Sequence, residues 1–289
     1  MITEKKLPHL IKLLDDQEPA TQEALKHEFA DSTGDVSNEL TALGISLSLD
    51  LSSKDKAKLT RLLLPARRKT LMNEWQIPAG GRAAMAEDWD SFEYHLRLIS
   101  DYLHDGISLR PPLSDALDLI ADEFTNDHQN APINADQLRL WMFSDGRFLG
   151  NKETYYLPQN SDLCWVADSG LGNPISLATL FILIGRRLDL DVSGCNYPGH
   201  FLARIYSGSE MQLVDCFHEG KLITAQTVLA EHKEISVNAK IAIAGHAALG
   251  DILWRFLKNL EYAFTQSKDL ATHEADVKLF ATLAKSLDR

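Results

Sequence analysis

The sequence predicts an α+β fold that is rich in helix, with its strands confined to the middle of the chain. Near the start, Leu7, Leu10, Ile11 and Leu14 recur at the i, i+3, i+4 and i+7 spacing of one helix face. In the middle, a nearly continuous apolar helix is followed by three short segments that have the length and turn signals of strands. Helical spacing returns near the end, so we expect a mixed core with helical flanks.

Residues 1–80 form the predicted N-terminal helical segment. Pro19 fits the first turn of its second helix, and Pro65 is expected to bend or break the longer helix that contains it. Residues 10–34, LIKLLDDQEPATQEALKHEFADSTG, resemble a HEAT-type helical pair, with no second copy visible. The run Pro78–Ala79–Gly80–Gly81 is the clearest linker in the chain and ends this segment.

The central helix is predicted from its cap and its apolar character. Asn173 is a good N-cap, because its side-chain oxygen can accept a bond from a free backbone N–H, and Pro174 suits the first helical position. Nearly every residue from Ile175 to Ile184 is apolar, so this helix should be buried on most of its circumference. Arg186 and Arg187 mark its solvent-facing end.

Three strand candidates follow this helix: Asp191–Cys195, Gly199–Tyr206 and Met211–Asp215. If the last two form a hairpin, His200 and Asp215 lie near the same end of paired strands, where their side chains can face each other. A carboxylate so placed fixes the tautomer of an imidazole and raises its basicity. The sequence therefore predicts that these two side chains lie within hydrogen-bond reach.

The tail, residues 245–289, is predicted to be a pair of helices. Apolar residues lie at helical spacing from Ile252 to Leu260 and again from Val277 to Leu283. Only one helix pair fits into this length, so a peptide-binding superhelix of stacked repeats is not expected within the chain.

Four stretches in the middle of the chain resemble one known family. They are FLGNKETYYLPQNSDL (148–163), GNPISL (172–177), NYPGHFLAR (196–204) and LVDCFHEG (213–220). A buried helix, a strand bearing His and a strand bearing Asp resemble the papain-like core of the transglutaminase-like superfamily, and the motifs are most similar to its SirB-type branch. The resemblance implies a transglutaminase-like core at residues 87–240, followed by a C-terminal pair similar to a tetratricopeptide-type extension.

The resemblance also assigns the positions of a Cys-His-Asp triad. His200 falls on the His position and Asp215 on the Asp position, whereas Pro174 occupies the position of the nucleophilic cysteine. A papain-like reaction needs a thiolate at a helix N-terminus, and proline offers no nucleophile. The cysteines of the chain are expected to be small buried apolar residues; they are Cys164, Cys195 and Cys216.

The remaining His200–Asp215 pair leaves two hypotheses open. In the first, the chain is a non-catalytic binding or regulatory module whose degenerate cleft holds a protein or peptide partner or a small anion. In the second, it is a hydrolase or acyl-transferase in which the pair works with an unrecognised nucleophile or an activated water. A structural His200 that satisfies Asp215 is the alternative to both. The candidate binding residues are Asn160, Asn173, Pro174, Ser176 and Gly199.

Composition narrows the classes of partner. A hydrophobic content of 45% and a charged content of 24% are ordinary for a globular chain, and a net charge of −12 argues against a nucleic-acid partner. With no secretory signal and no apolar run of membrane-spanning length, we expect no membrane partner and a cytoplasmic location. The cysteines and the scattered histidines, His218 among them, lack metal-ligand spacing, so neither a metal nor another cofactor is predicted. The oligomeric state is left open.

Overall fold

A computed structural model gives the fold of the chain. It describes residues 2–43, 51–129, 132–197, 200–207, 210–224, 240–241, 243, 245–266 and 270–288. The fold is α+β and rich in helix, as predicted. The chain divides into two compact units, the first made of Met1–Gln76 and Asp101–Pro111 and the second of Ile77–Ser100 and Pro112–Arg289. The C-terminal helices fall in the second unit with the core, and the division into three domains stays a prediction.

The first unit is built from helices around an apolar core. They are α1 (Leu7–Lys12), α2 (Pro19–Ala30), α3 (Ser37–Ala42) and α4 (Ser53–Glu74). Leu25, Phe29, Leu59 and Leu63 are buried together in this core. Helix α4 continues through Pro65, so the expected break does not occur. Apolar residues on both sides of the proline are buried, and their packing offsets the lost backbone hydrogen bond.

Asp35 lies just before α3 and connects it to a histidine of the same unit. Its Oδ1 accepts hydrogen bonds from the backbone N–H of Ser37 at 2.8 Å and from the hydroxyl of Ser37 at 2.6 Å. Its Oδ2 lies 3.6 Å from Nδ1 of His104. Burial alone would raise the pKa of Asp35, but the hydrogen bonds from His104 and Ser37 outweigh it and lower the pKa to about 2.

We expect Asp35 to stabilise the first unit at neutral pH and to lose this effect in acid. Its folded-state pKa of about 2 lies below the ordinary value of 3.8, so the stabilisation is complete above pH 3.8 and disappears as the pH falls to about 2. Urea unfolding of the parent and Asp35→Asn chains should therefore give free energies that differ near neutral pH and converge in acid. A difference that is the same at every pH would contradict this expectation.

The helices of the second unit accompany a small sheet, which α8 and α10 contact. They are α5 (Gly81–Ala84), α6 (Trp89–Leu103, whose end belongs to the first unit), α7 (Leu113–Asp127), α8 (Ala135–Arg139), α9 (Leu163–Ser169), α10 (Pro174–Arg187), α11 (Leu249–Thr265) and α12 (Leu270–Ser286). A π-helical turn spans Leu140–Ser144 and a 3-10 turn spans Pro158–Ser161. The predicted central helix is α10, and every residue from its first turn to Gly185 is buried.

Four antiparallel strands form the sheet in chain order. They are β3 (Val192–Cys195), β4 (Leu202–Ser207), β5 (Glu210–Asp215) and β6 (Lys221–Thr224). The predicted hairpin is confirmed, with Ala203 opposite Val214. Strand β4 begins at Leu202, so His200 lies in the loop before it rather than on the strand. Strand β6 was not predicted.

A short parallel pair joins the lead-in segment to the start of α10. Strands β1 (Leu149–Gly150) and β2 (Leu171–Gly172) place Gly150 opposite Gly172, directly before Asn173. The pair was not predicted, because two residues are too few to show a strand pattern. Among the described helices, none combines the length and the apolar character of a membrane span.

Candidate functional site

The start of α10 is closed by its own polar groups. The side-chain oxygen of Asn173 accepts the backbone N–H of Ser176 at 2.9 Å, and the hydroxyl of Ser176 accepts the backbone N–H of Asn173 at 2.9 Å. The amide nitrogen of Asn173 donates to the hydroxyl of Ser161 at 3.0 Å. Pro174 is buried at the first helical position. This capping box confirms the predicted N-cap and uses the hydroxyl of Ser176.

Asn160 stabilises the loop of residues 151–155 through hydrogen bonds. It is fully buried, its amide nitrogen donates to the backbone oxygens of Thr154 and Tyr155, and its side-chain oxygen accepts from Asn151 at 2.8 Å. These bonds favour a structural role for Asn160, as does the capping box for Ser176, and a binding role for either stays a prediction. Gly199 lies outside the described residues.

His200 and Asp215 are brought together as predicted. Nε2 of His200 lies 3.0 Å from Oδ1 of Asp215, which confirms the expected proximity. The direction of the contact departs from hydrogen-bond geometry, so Nε2 is buried without a hydrogen-bond partner among the described residues. The contact is therefore that of an ion pair when the imidazole is protonated.

His218 is the residue that sequence reasoning missed. Its Nδ1 donates to Oδ2 of Asp215 at 2.8 Å, on the side of the carboxylate that His200 leaves free. Oδ1 of Asp215 also accepts the backbone N–H groups of Phe217 and His218, each at 3.2 Å. We call His200, Asp215 and His218 the imidazole–carboxylate cluster. The signal for it was an Asp followed three residues later by a His in a turn.

Neighbouring elements hold the two loops that carry the cluster. The backbone oxygen of Gly220, at the end of the His218 turn, accepts Nη1 of Arg139 at 2.9 Å. Gly220 has a φ of +67°, and a side chain there would meet Phe143 at 2.9 Å, so the turn requires glycine. Before His200, the backbone oxygen of Tyr197 accepts Nη1 of Arg255 at 3.1 Å. Helix α11 thus anchors the loop of His200.

The charges of the site favour a carboxylate and disfavour a thiolate. Burial alone would raise the pKa of Asp215, but His200 and His218 outweigh it and lower the pKa to about 2. Burial raises the pKa of the Cys195 thiol, and it raises that of Cys216 well above its ordinary value. All three cysteines of the chain are buried, as predicted. Cys195 and Cys216 therefore stay protonated at neutral pH and are poor nucleophiles.

A continuous series of rings connects the cluster with the surface. We call it the ring row; its centroid separations run His200–His218 6.1 Å, His218–Phe217 5.2 Å, Phe217–Tyr155 5.7 Å, Tyr155–Tyr156 5.0 Å and Tyr156–Tyr262 5.5 Å. Phe217 is buried, whereas Tyr155, Tyr156 and Tyr262 are 42%, 47% and 53% exposed. The row therefore presents a partly exposed aromatic surface that ends at the imidazole–carboxylate cluster.

The family is decided by a match that covers the imidazole–carboxylate cluster. The model of the transglutaminase-like superfamily matches residues 112–257, which include α10, the sheet and the ring row except Tyr262. The chain belongs to the transglutaminase-like superfamily. The matched residues contain the helix start, the sheet, His200 and Asp215, and the assignment of these two side chains to triad positions stays a prediction.

Curated relatives support the same assignment. Two UPF0162 proteins of Xylella fastidiosa are 33% identical, strain 9a5c over 153 residues and strain Temecula1 over 160; each match covers 50% of this chain and 54% of the relative. F-box only protein 21 of Mus musculus is 27% identical over 133 residues, which are 43% of this chain and 21% of that protein. The chain thus spans about half the length of the UPF0162 relatives that it matches. No solved structure matches it significantly.

Proposed function

We propose that this chain is a non-catalytic member of the transglutaminase-like superfamily, of its SirB-type branch, and that it binds a protein or peptide segment along the ring row. The observation that carries the proposal is the row itself, since Tyr155, Tyr156 and Tyr262 remain exposed although they contact one another. Aromatic side chains supply large contact areas with little loss of conformational entropy, and they are enriched at protein interfaces.

The second support is the helix start. On the SirB-type pattern, Pro174 stands at the position of the nucleophilic cysteine. The hydroxyl of Ser176, in the same helical turn, is fully buried and bonded within the capping box. Raised pKa values of Cys195 and Cys216 argue against a thiolate from either residue. In this proposal the His200–Asp215 pair holds the two loops beside the ring row in place and activates no nucleophile.

The third support comes from the way the segment is distributed among relatives. In F-box only protein 21 of Mus musculus, the similar segment makes up 21% of the protein. The segment thus occurs there as one part of a larger chain. A binding module is compatible with such placement, because its surface does not depend on the rest of the chain.

A random peptide library displayed on phage tests the proposal. We expect the chain to select peptides, and we expect Tyr156→Ala combined with Tyr262→Ala to weaken them at least about tenfold, since two exposed aromatic anchors are removed. Leu119→Ala is the matched control, because Leu119 is 58% exposed on α7 of the same unit and lies outside the ring row. A library that yields no binder, or binders that tolerate the tyrosine variant as well as the control, would contradict the proposal.

A second function, hydrolysis by an activated water, is favoured by one observation. His200 keeps a buried ring nitrogen without a hydrogen-bond partner among the described residues, 3.0 Å from an ionised carboxylate. In general-base catalysis, a ring nitrogen without a hydrogen-bond partner accepts a proton from a water that is bound against it. Ester and amide substrate panels would decide between the two: turnover that His200→Gln abolishes, with the fold intact by circular dichroism, would refute the non-catalytic assignment.

A further inference from the structure

We propose that His200, Asp215 and His218 form a binding site for one divalent transition-metal ion. Among the described residues, this is the one group of three or more His, Cys, Asp or Glu side chains whose potential ligand atoms all lie within 4.8 Å of one another. The site would supply two imidazoles and one carboxylate. This inference goes beyond the proposed function, because binding a peptide along the ring row does not require a metal.

Each imidazole nitrogen lies about as far from one oxygen of the carboxylate as two ligands of a common ion lie from each other. Nε2 of His200 is 3.0 Å from Oδ1 of Asp215, and Nδ1 of His218 is 2.8 Å from Oδ2. Ligands about 2.0–2.2 Å from a Zn²⁺ ion lie roughly 3.0–3.5 Å apart at angles between 90° and the tetrahedral value. The side chain of His218 is 53% exposed on a turn, so it can rotate towards His200 to complete the set.

The surroundings of His200 favour a bound metal ion over a simple ion pair with Asp215. Its Nε2 is buried and makes no hydrogen bond to any described residue, although an ionised carboxylate lies 3.0 Å away. A buried polar nitrogen without a partner costs free energy, and a cation shared with the neighbouring carboxylate would satisfy it.

The protonation of the imidazole of His218 is compatible with coordination of a metal ion. An ionised carboxylate only accepts hydrogen bonds, so Nδ1 of His218 carries the proton in its contact with Asp215. A metal ion would take the lone pair of Nδ1, and the proton would move to the exposed Nε2 of the same ring. Each imidazole then remains neutral, which is the form that binds metals.

The ligand types define the class of ion. Imidazole nitrogen favours zinc, iron, cobalt, nickel or copper, whereas calcium and magnesium prefer sites made of oxygen ligands. Two histidines and one carboxylate leave coordination positions for water on the exposed side of His218. We therefore expect tight binding of Zn²⁺ and Co²⁺ and weak binding of Mg²⁺.

Calorimetric titration of the chelator-treated full chain with Zn²⁺ tests the site. We expect one ion per chain, and we expect His218→Gln to weaken binding by roughly 10–100-fold or more, because a ligand is lost at an exposed turn where the fold tolerates the change. Co²⁺ provides an independent readout, since its visible absorption reports imidazole ligation. His200→Gln should weaken binding as well, and circular dichroism shows whether each variant is folded.

His273→Gln is the matched control. His273 makes the same kind of contact, with Nδ1 3.0 Å from Oδ2 of Asp276 three residues away, but it has no second imidazole in the described cluster. We expect this variant to bind Zn²⁺ like the parent. The chain with both Tyr156→Ala and Tyr262→Ala should also bind Zn²⁺ like the parent, even if its peptide binding is lost. A parent that does not bind Zn²⁺, or a His218→Gln chain that binds it as tightly, would overturn the proposal and leave an imidazole–carboxylate ion pair.

Discussion

Replacing Asp215 with alanine is expected to destabilise the chain by about 2–4 kcal/mol, because four contacts are lost at once. The carboxylate accepts the backbone N–H groups of Phe217 and His218 and contacts both imidazoles of the cluster. The carboxylate is also buried, so the N–H groups that lose it as a hydrogen-bond acceptor are only partly hydrated in its place. Urea unfolding of the parent and of Asp215→Ala, followed by circular dichroism, measures the difference.

Asp215→Asn separates the two kinds of contact. Asparagine keeps an oxygen for the two backbone N–H groups, whereas it removes the charge and replaces the oxygen that accepts from His218 with an amide nitrogen. We expect it to cost roughly half as much as the alanine change, about 1–2 kcal/mol. Equal losses in the two variants would show that the backbone hydrogen bonds at the turn contribute nothing to stability, which would contradict this expectation.

The central helix and its hairpin were predictable because their signals are local. Asn173 and Pro174 identify the start of α10 by cap chemistry alone, and the apolar run behind them requires burial. The proximity of His200 and Asp215 followed from hairpin pairing, which the register of β4 and β5 bears out. Local sequence signals thus predict the part of the site that depends on one helix cap and one pair of strands.

The rest of the site depends on contacts that sequence spacing does not encode. His218 approaches Asp215 only because the turn after β5 folds back, with Gly220 in the left-handed region. The ring row joins Tyr155 to Tyr262, residues more than a hundred positions apart, through packing in the second unit. The burial of Asn160, a predicted binding residue, could not be deduced from the sequence, because it depends on the fold of the surrounding loop.

Gly150→Ala is expected to destabilise the second unit by about 3 kcal/mol, because there is no room for a methyl group. A Cβ at Gly150 would lie 2.5 Å from the backbone oxygen of Phe217 and 2.7 Å from its ring. Strand β1 cannot retreat, since the N–H of Leu149 bonds to Gly170 at 2.7 Å and that of Asn151 to Gly172 at 2.9 Å. In a unit of this size, the loss should lower the melting temperature by roughly 6–12 °C.

Gly245→Ala is the control for the loss of a glycine as such. A Cβ at Gly245 would meet its nearest atom, the backbone oxygen of Ile241, at 3.5 Å, which is ordinary contact, so we expect a change in stability below about 1 kcal/mol.

Because β1 is fixed, Phe217 must move to accommodate the methyl group in Gly150→Ala and lose part of its contact with Tyr155. We therefore expect weaker binding of library-selected peptides to Gly150→Ala well below its melting temperature. If both glycine variants melt like the parent, β1 does not press on the turn that carries His218.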